Sequence, residues 1–453
     1  MTMNIMIVGC GKVGQTLAEQ LNEEGNNITV VDTRAEVVNA LSVRLDVMGY
    51  VGNGATHTVQ EEAGIRNTDL LIAVTGSDEL NLLCCLIAKW SGDCQTIARV
   101  KNPAYSSEAE YLKSELGLAM VINPEQAAAA EIARVLRFPS AIKIDTFAGG
   151  RVELLKYKIP EGSRLVGMAV KDVVGKLGCD VLVCTVERGD EVHIADGNLV
   201  FTQRDIISVV ASPKKAADFF RTIGYKTRAV KDVMIVGGGE TAQYLCRDLL
   251  RTGVSVKIMD KNQAVCEDLC VKFKEADIIC GDASDQALLI EEGIGSASAF
   301  VALTGVDEEN IFLSLFAKSM GKPKVVTKIN RIAFNDVITH LDLDSTIYPK
   351  NITADMIARY VRAMKNSMGS SMETLYNVIQ GKVEATEYTV KAGSPVTGIP
   401  LMELKKKKDI LIAAIIRENQ VILPRGSDVI KSGDRVVVVS RAKVMDDIAD
   451  MLE

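Results

Sequence analysis

Short apolar runs alternate with amphipathic stretches from the first residues onward. Ile5–Val8 is a strand-length apolar run that enters the turn Gly9-Cys10-Gly11-Lys12-Val13-Gly14. Gln15–Glu24 then carries apolar residues at helical spacing, and after Gly25 a second run, Ile28–Val31, leads into Asp32. The pattern predicts strands at 4–8, 28–31, 47–51, 70–74, 96–100 and 119–122. Helices lie between them, including one over 78–90 opened by Ser77 or Asp78 as N-cap. Strands that alternate with helices imply a parallel sheet covered on both faces. After the sixth strand, Asn123-Pro124 opens an alanine-rich helix over 125–137 that stops at Pro139. This helix is expected to close its own domain, or to reach as an arm to a neighbour.

From 140 to 224 the texture changes. Glu153–Lys158, Val181–Val186, Leu199–Phe201 and Asp205–Val210 alternate apolar and polar residues. Turn signals such as Pro160-Glu161-Gly162, Arg188-Gly189-Asp190 and Ala195-Asp196-Gly197 separate them, and helical periods cover Val170–Leu177 and Lys214–Ile223. The prediction is a small α+β domain with an antiparallel hairpin sheet.

The whole arrangement then repeats. Gly9 matches Gly237 and Asp32 matches Asp260, each 228 residues on. Gly52-Asn53-Gly54-Ala55-Thr56 is set against Cys280-Gly281-Asp282-Ala283-Ser284, and Ala73–Glu79 against Ala302–Glu308 at an offset of 229. Asn81 pairs with Asn310, Arg99 with Lys328, and Ile132-Ala133-Arg134 with Ile357-Ala358-Arg359. The second long helix is expected after Tyr348-Pro349, running to about Met364. Residues 371–453 repeat the small domain, with Asp205 and Asp434 each in the turn before a final strand, where a structural role is expected. The fold class is therefore α/β. Two tandem copies of a Rossmann-like parallel-sheet domain (1–139 and 229–366) are each followed by a small α+β domain (140–224 and 371–453).

The glycine turns carry the candidate chemistry. Gly9 permits the tight turn, Gly11 lets a pyrophosphate approach bare backbone, and Gly14 lets the helix pack closely on the sheet. The helix N-terminus offers unpaired amides to phosphate, and Asp32 can accept hydrogen bonds from ribose hydroxyls. Such an acid disfavours a 2′-phosphate, so NAD is expected over NADP; ATP and ADP share the same ribose hydroxyls and stay open. Ligands bind at the carboxyl ends of such strands. That adds Asn53, Gly54 and Ala55 after the third strand, Thr75 with Gly76 and Ser77 after the fourth, and Arg99 at the end of the fifth. Asp78 and Glu79 are expected as helix caps. The second loop is Gly237-Gly238-Gly239-Glu240-Thr241-Ala242. Glu240 stands where the first loop has Lys12, and a carboxylate beside a pyrophosphate is unfavourable, so weaker binding is expected there.

Composition narrows the function. The net charge of −7 and 5% aromatic residues argue against nucleic-acid binding. Ten Cys show no CxxC pair or zinc spacing, and Cys84, Cys85, Cys246 and Cys266 fall in helical patterns as small core residues. No apolar run approaches the ~18–20 residues that span a bilayer, and no leader segment is read at the start, so reduced thiols and a cytosolic chain are expected. The three His are His57, His193 and His340. A dehydrogenase needs an acid–base partner near its substrate. None converges here, and His57 reads as a surface or capping residue. Lys405–Lys408 reads as a solvated helix end.

GCGKVG…VVD, GNGATHTVQEEAGI, LLIAVTGSDELN and the small following domain resemble the regulator-of-potassium-conductance (RCK, or KTN) modules, in tandem over essentially the whole chain. The resemblance implies NAD(H), or ATP/ADP, bound at two sites: Gly9–Gly14, Asp32, Asn53, Gly54 and Arg99 in the first, and Gly237–Ala242, Asp260, Asp282 and Ala283 in the second. It also implies a non-enzymatic homotetrameric ring, cytoplasmic and peripheral on the inner face of the cell membrane. That ring docks on a membrane potassium-translocating subunit (TrkH/TrkG-like) and gates it. GGGETA departs from the loop pattern and puts the second site in question. Two other readings stay open: an NAD-dependent oxidoreductase, and a regulator of another cation transporter or antiporter.

Overall fold

The structure, a computed structural model, describes residues 2–453 except 103–104, 106–107, 138–140, 149–150, 190, 224–229, 322, 332–337, 339–340, 342, 368–371, 380–381, 419, 442–444 and 446. The domain junctions expected at 139–140, 224–229 and 371, and His340, lie outside the described residues.

The first sheet contains β1 (Asn4–Val8), β2 (Asn27–Asp32), β3 (Met48–Val51), β4 (Leu70–Ala73), β5 (Gln95–Arg99) and β6 (Met120–Ile122), in the order 3-2-1-4-5-6 and all parallel. Strand order reverses between β1 and β4, which opens a crevice at their carboxyl ends, where Gly9 follows β1. The helix predicted over 78–90 runs Asp78–Ser91, and Ser77 caps it through its Oγ, which accepts the Leu80 amide at 3.2 Å.

An antiparallel sheet follows: β7 (Ala141–Phe147), β8 (Val152–Lys158), β9 (Leu182–Arg188), β10 (Glu191–Ile194) and β11 (Ile206–Ala211), in the order 10-9-11-8-7. Leu199–Phe201 is not a strand; it makes only an isolated bridge, Ala169 with Val200, because its partner is a turn rather than a ladder.

The second half repeats both sheets. Its parallel sheet is β12 (Asp232–Val236), β13 (Ser255–Asp260), β14 (Asp277–Cys280), β15 (Ala299–Ala302), β16 (Lys324–Lys328) and β17 (Ser345–Ile347), in the order 14-13-12-15-16-17. Its antiparallel sheet is β18 (Met372–Ile379), β19 (Val383–Thr389), β20 (Ile410–Arg417), β21 (Gln420–Ile422) and β22 (Arg435–Ser440), in the order 18-19-22-20-21. What repeats in the small domains is the sheet. The first carries helices Asp172–Leu177 and Pro213–Thr222, whereas the second has only the 3-10 turn Ile448–Met451 among its described residues. Asp205 and Asp434 are buried and each receives a two-pronged guanidinium, from Arg188 and Arg417 respectively, at 2.8 and 2.9 Å. They are the structural aspartates the sequence suggests. Lys405–Lys408 is an exposed extended segment rather than a helix end; Lys406 bridges antiparallel to Leu452, and Lys407 Nζ donates to the Asp450 carbonyl at 2.7 Å.

The register of the repeat shifts earlier than the sequence pairing suggests. The Gly52 amide donates to the Asp32 carbonyl and the Gly281 amide to the Asp260 carbonyl, each at 3.0 Å. Gly52 therefore corresponds to Gly281, not Cys280, and Cys280 takes the place of Val51. The offset changes between the second and third strands, where chain length can vary without disturbing the sheet.

The largest departure concerns the two long helices. Pro124–Arg137 buries Ala128, Ala129, Ile132, Val135 and Leu136 against Val233, Ile235, Leu245 and Leu249 of the second half. Pro349–Ser367 buries Ala354, Ile357, Ala358 and Val361 against Ile5, Ile7, Leu17 and Leu21 of the first. Each helix thus closes the other half's domain, and the neighbour it reaches is in its own chain. An amphipathic face dictates that a helix must be covered, not by which sheet. The exchange is fixed by the buried pair of Arg362 with Glu24 and by Asn123 Nδ2 donating to Tyr244 Oη at 3.0 Å. Because the helices are exchanged, the glycine-loop ends of the two halves lie against one another.

Candidate functional site

Gly9 has φ +99°, and a Cβ there would lie 2.8 Å from the Thr75 amide nitrogen. Gly14 is tighter still, since a Cβ would lie 1.9 Å from the Gly9 carbonyl oxygen. At Gly11 nothing lies within 4 Å of the Cβ position, so the loop backbone is open to a ligand. The Lys12–Glu23 helix begins at Gly11 with no side-chain cap, which leaves its first-turn amides for an anion. Val13 is buried beneath the loop. Cys10 is buried and its amide donates to Asp32 Oδ2 at 2.7 Å. Burial and the Asp32 charge push its thiol up to about 12, so it is not a nucleophile.

Asp32 also meets a cation. Oδ1 accepts from Arg34 N and Nε, both at 3.0 Å, and Oδ2 from Arg34 Nη2 at 3.1 Å. Burial opposes ionisation, yet these bonds hold the carboxyl below its usual range. A ribose hydroxyl must displace the exposed guanidinium, a modest cost for a surface pair.

The remaining candidates gather at the strand ends. Asn53 Oδ1 accepts the Ala55 amide at 3.0 Å and shapes the turn after β3. Gly54 packs on β1, since a Cβ there would lie 2.3 Å from Val8 Cγ1. Asn81 ties two of these ends together. Its Oδ1 accepts from the Thr75 amide and hydroxyl, both at 2.7 Å, while its Nδ2 donates to the Arg99 carbonyl at 2.9 Å. Arg99 Nε is buried and meets no acceptor among the described residues.

The second loop has the same frame. Gly237 has φ +100°, Gly239 is open, and the Glu240–Arg251 helix starts uncapped by any side chain. Gly238 stands where Cys10 does because a Cβ would press on Leu269 and Val265 at 2.7 and 2.9 Å. Thr241 and Ala242 are buried, as is Ala283. Asp260 Oδ2 accepts the Gly238 amide at 2.7 Å and Oδ1 the Asn262 amide at 2.8 Å. No ion pair to it is seen among the described residues. Asp282 Oδ1 accepts the Ser284 amide at 2.9 Å, repeating the Asn53 turn.

Asp78 is not the cap expected; it and its repeat counterpart Asp307 do another job. Asp78 Oδ2 accepts the Lys101 and Asn102 amides at 3.0 and 2.8 Å, and Asp307 accepts the Asn330 and Arg331 amides at 2.9 and 2.8 Å. Each holds the loop after the fifth strand of its sheet.

The other half adds residues that carry no signal in the sequence. A cleft of about 280 Å³ at the second loop is lined by Gly239, Glu240, Thr241, Lys328 and Asn330, and by Glu125 from the first half's long helix. Burial raises the Glu240 carboxyl, Glu125 and Asp78 raise it further, and Lys101 and Arg99 oppose them. Burial lowers the Lys350 amine, helped by Lys12 and opposed by Glu19 and Asp307. Lys12 thus has a second amine within electrostatic reach, and Glu240 a second carboxylate. Glu125 and Lys350 both follow a helix-opening proline, but only the helix exchange makes them site residues. Lys328 Nζ donates to the Leu303 carbonyl at 2.8 Å, and burial lowers its pKa.

His57 is exposed and lies 3.5 Å from Glu61, one helical turn on. Among the described residues no cluster of three or more His, Cys, Asp or Glu is arranged for a metal, and no helix is long and apolar enough to cross a membrane.

The TrkA-N domain matches residues 5–124 and again 233–349, and the TrkA-C domain matches 154–224 and 385–453. The Trk system potassium uptake protein TrkA homolog 1 of Methanosarcina mazei is 31% identical over 98% of this chain and 99% of its own length. The Trk system potassium uptake protein TrkA of Halomonas elongata is 31% identical over 98% and 97%. Among solved structures, the GsuK channel bound to NAD superposes with a TM-score of 0.62 at 17% identity, over 97% of this chain and 77% of that one. The same channel bound to ADP gives 0.52 at 16%, over 80% and 70%. With both domains matched twice in alternating order, and relatives aligned from end to end, the chain belongs to the TrkA family of potassium-uptake proteins.

Proposed function

We propose that the chain is the nucleotide-binding regulatory subunit of a Trk-type potassium uptake system, not an enzyme. In this reading NAD(H), or ATP/ADP, binds at Gly9–Gly14 with Asp32, Asn53, Gly54, Ala55, Thr75 and Arg99, and more weakly at Gly237–Ala242 with Asp260, Asp282 and Ala283. The observation that carries it is the exchange of long helices. Each loop helix starts against elements of the other half, so a ligand at either loop bears on how the halves pack. The open glycines and uncapped helix starts suit a pyrophosphate, and the GsuK complexes with NAD and ADP support those ligand classes. The chain supplies phosphate-facing amides and a ribose acceptor. A ligand that prefers one packing of the halves shifts that equilibrium by its difference in affinity.

The ring is a homotetramer on the cytoplasmic face, docked on the membrane potassium-translocating subunit. Two exposed helix faces support assembly. Leu83, Leu86, Ile87 and Trp90 follow helical spacing, with Trp90 77% exposed, and Phe312, Leu315 and Phe316 repeat the stripe, with Phe312 71% exposed.

The test is reconstitution of the purified chain with the membrane subunit and potassium-flux measurement against NADH, NAD, ATP and ADP. Ligand-dependent flux without redox turnover is expected. Turnover of a hydroxyacid or aldehyde, or flux indifferent to all four ligands, contradicts the proposal.

A further inference from the structure

We propose that Cys266 and Cys280 form an oxidisable dithiol at the ribose end of the second loop, converted to a disulfide by a hydroperoxide. Cys280 ends β14 and is the register partner of Asp260 on β13. It is exposed, and its thiol donates to Gln263 Oε1 at 3.0 Å. Cys266 lies on the Gln263–Lys272 helix and is 4% exposed. Its Sγ is 3.3 Å from the Asp260 carbonyl oxygen and 3.8 Å from that of Ile279, the residue before Cys280. Both side chains therefore lie at the end of β14 beside Asp260, and burial, with the neighbouring Cys280 thiol, pushes the Cys266 thiol up to about 11. An accessible sulfur thus has a sheltered one beside it, which is the arrangement of an attacking and a resolving cysteine.

Two contrasts single this pair out. Cys84, Cys85 and Cys94 also cluster, but each is at most 2% exposed, and an oxidant cannot reach them. In the first half, Val38 and Val51 take the places of Cys266 and Cys280, so the dithiol is confined to one half and valine suits both positions.

The chemistry balances as two thiols plus ROOH giving a disulfide, ROH and water. Cys280 sulfur attacks the peroxide, the O–O bond breaks, and the alkoxide leaves with the thiol proton, which gives a sulfenic acid. Cys266 sulfur then attacks that sulfur, the S–O bond breaks, and hydroxide leaves with the Cys266 proton as water. Two electrons pass from the thiols to the peroxide. The new bond removes the thiol donor to the Asp260 carbonyl and fastens the helix start to the end of β14, on both sides of Asp260. On the nucleotide reading above, second-site affinity falls about fivefold to tenfold.

The experiment is equimolar hydrogen peroxide on the full chain, then differential alkylation and peptide mass mapping. A Cys266–Cys280 cross-linked peptide is expected in the wild type and in Cys270→Ser, and none in Cys266→Val or Cys280→Val. No cross-link, pairing with Cys270, or sulfinic acid at Cys280 alone overturns the proposal. Nucleotide titration of the oxidised protein and of Cys280→Val is read separately. A cross-link that leaves affinity unchanged disproves the coupling to Asp260. Absence of nucleotide binding in every state defeats the nucleotide reading, and the dithiol then stands or falls on the mass map.

Discussion

The two glycine loops share one backbone and carry opposite charges. Each turns on a left-handed glycine, ties its second residue to an aspartate at 2.7 Å, and starts a helix with no side-chain cap. The first presents Lys12 near Lys350, whereas the second presents Glu240 near Glu125. The ribose acceptors differ in the other sense, since Asp32 is clamped by Arg34 whereas Asp260, among the described residues, is held by backbone amides. The frame of a phosphate site is thus separable from its charge. Duplication preserved the frame, and the side chains at two positions per site set the preference.

The largest effect expected tests the helix exchange. Arg362 is buried against Glu24 across the halves, while its repeat counterpart Arg137 pairs with Glu153 from a half-exposed position. Arg362→Ala leaves a buried carboxylate unpaired and is expected to cost about 3–5 kcal/mol in chemical denaturation. Arg137→Ala also strands a buried carboxylate, Glu153, but removes a guanidinium that already meets water, so it should cost somewhat less. Equal costs would mean that the two exchanged helices are held alike.

Lys324 sharpens the contrast next. It is buried, its Nζ donates to the Ala141 carbonyl at 2.6 Å, and burial lowers its pKa to about 8; the first half has the exposed Gln95 in its place. The unfolded lysine keeps its proton to about pH 10.4. Between about pH 8 and that value the unfolded state therefore binds more protons, and stability rises with pH. Below about pH 8 the full cost remains. Lys324→Met should abolish that rise, worth roughly 3 kcal/mol, in denaturation curves taken across the range.

The third glycine position separates the loops sterically. Gly14→Ala forces a Cβ onto the Gly9 carbonyl and is expected to cost about 1–3 kcal/mol. Ala242→Gly, where the methyl is already housed, should cost about 1 kcal/mol or less. Thermal melts of the two variants compare them directly.

Charge exchange gives the smallest shift. Lys12→Glu should weaken the first site for a phosphate ligand about tenfold, and Glu240→Lys should strengthen the second by a similar factor. Because the Glu240 carboxyl is raised, second-site affinity should climb as pH falls through its value, and Glu240→Gln should flatten that dependence. Binding isotherms at several pH values report both.

Much of this was legible in the sequence. Local pattern places the strands of the first parallel sheet within a residue or two, and the glycine spacing locates both loops, because each depends on neighbours in the chain. The exchange of the long helices was not legible, since Ala128, Ile132 and Val135 would suit either sheet. With it went Glu125 and Lys350, whose part in the sites depends wholly on which half their helix joins. Asn81 was visible as a matched pair with Asn310. Its role depends on the fold, which sets the Thr75 amide and the Arg99 carbonyl on either side of it. Arg34 carries no sequence signal, since only the fold lays its guanidinium on Asp32. The first small domain carries two helices and the second, among its described residues, a 3-10 turn, so a repeated sheet does not guarantee repeated decoration.

The central claim is that the two loops form unequal nucleotide sites, the first stronger. It is tested most directly by calorimetric titration of the full chain with NADH, NAD, ATP and ADP, beside the Asp32→Ala and Asp260→Ala variants. The account predicts a tight event of one ligand per chain that Asp32→Ala removes and Asp260→Ala leaves in place. Two equal events per chain, or a greater loss from Asp260→Ala, would contradict it.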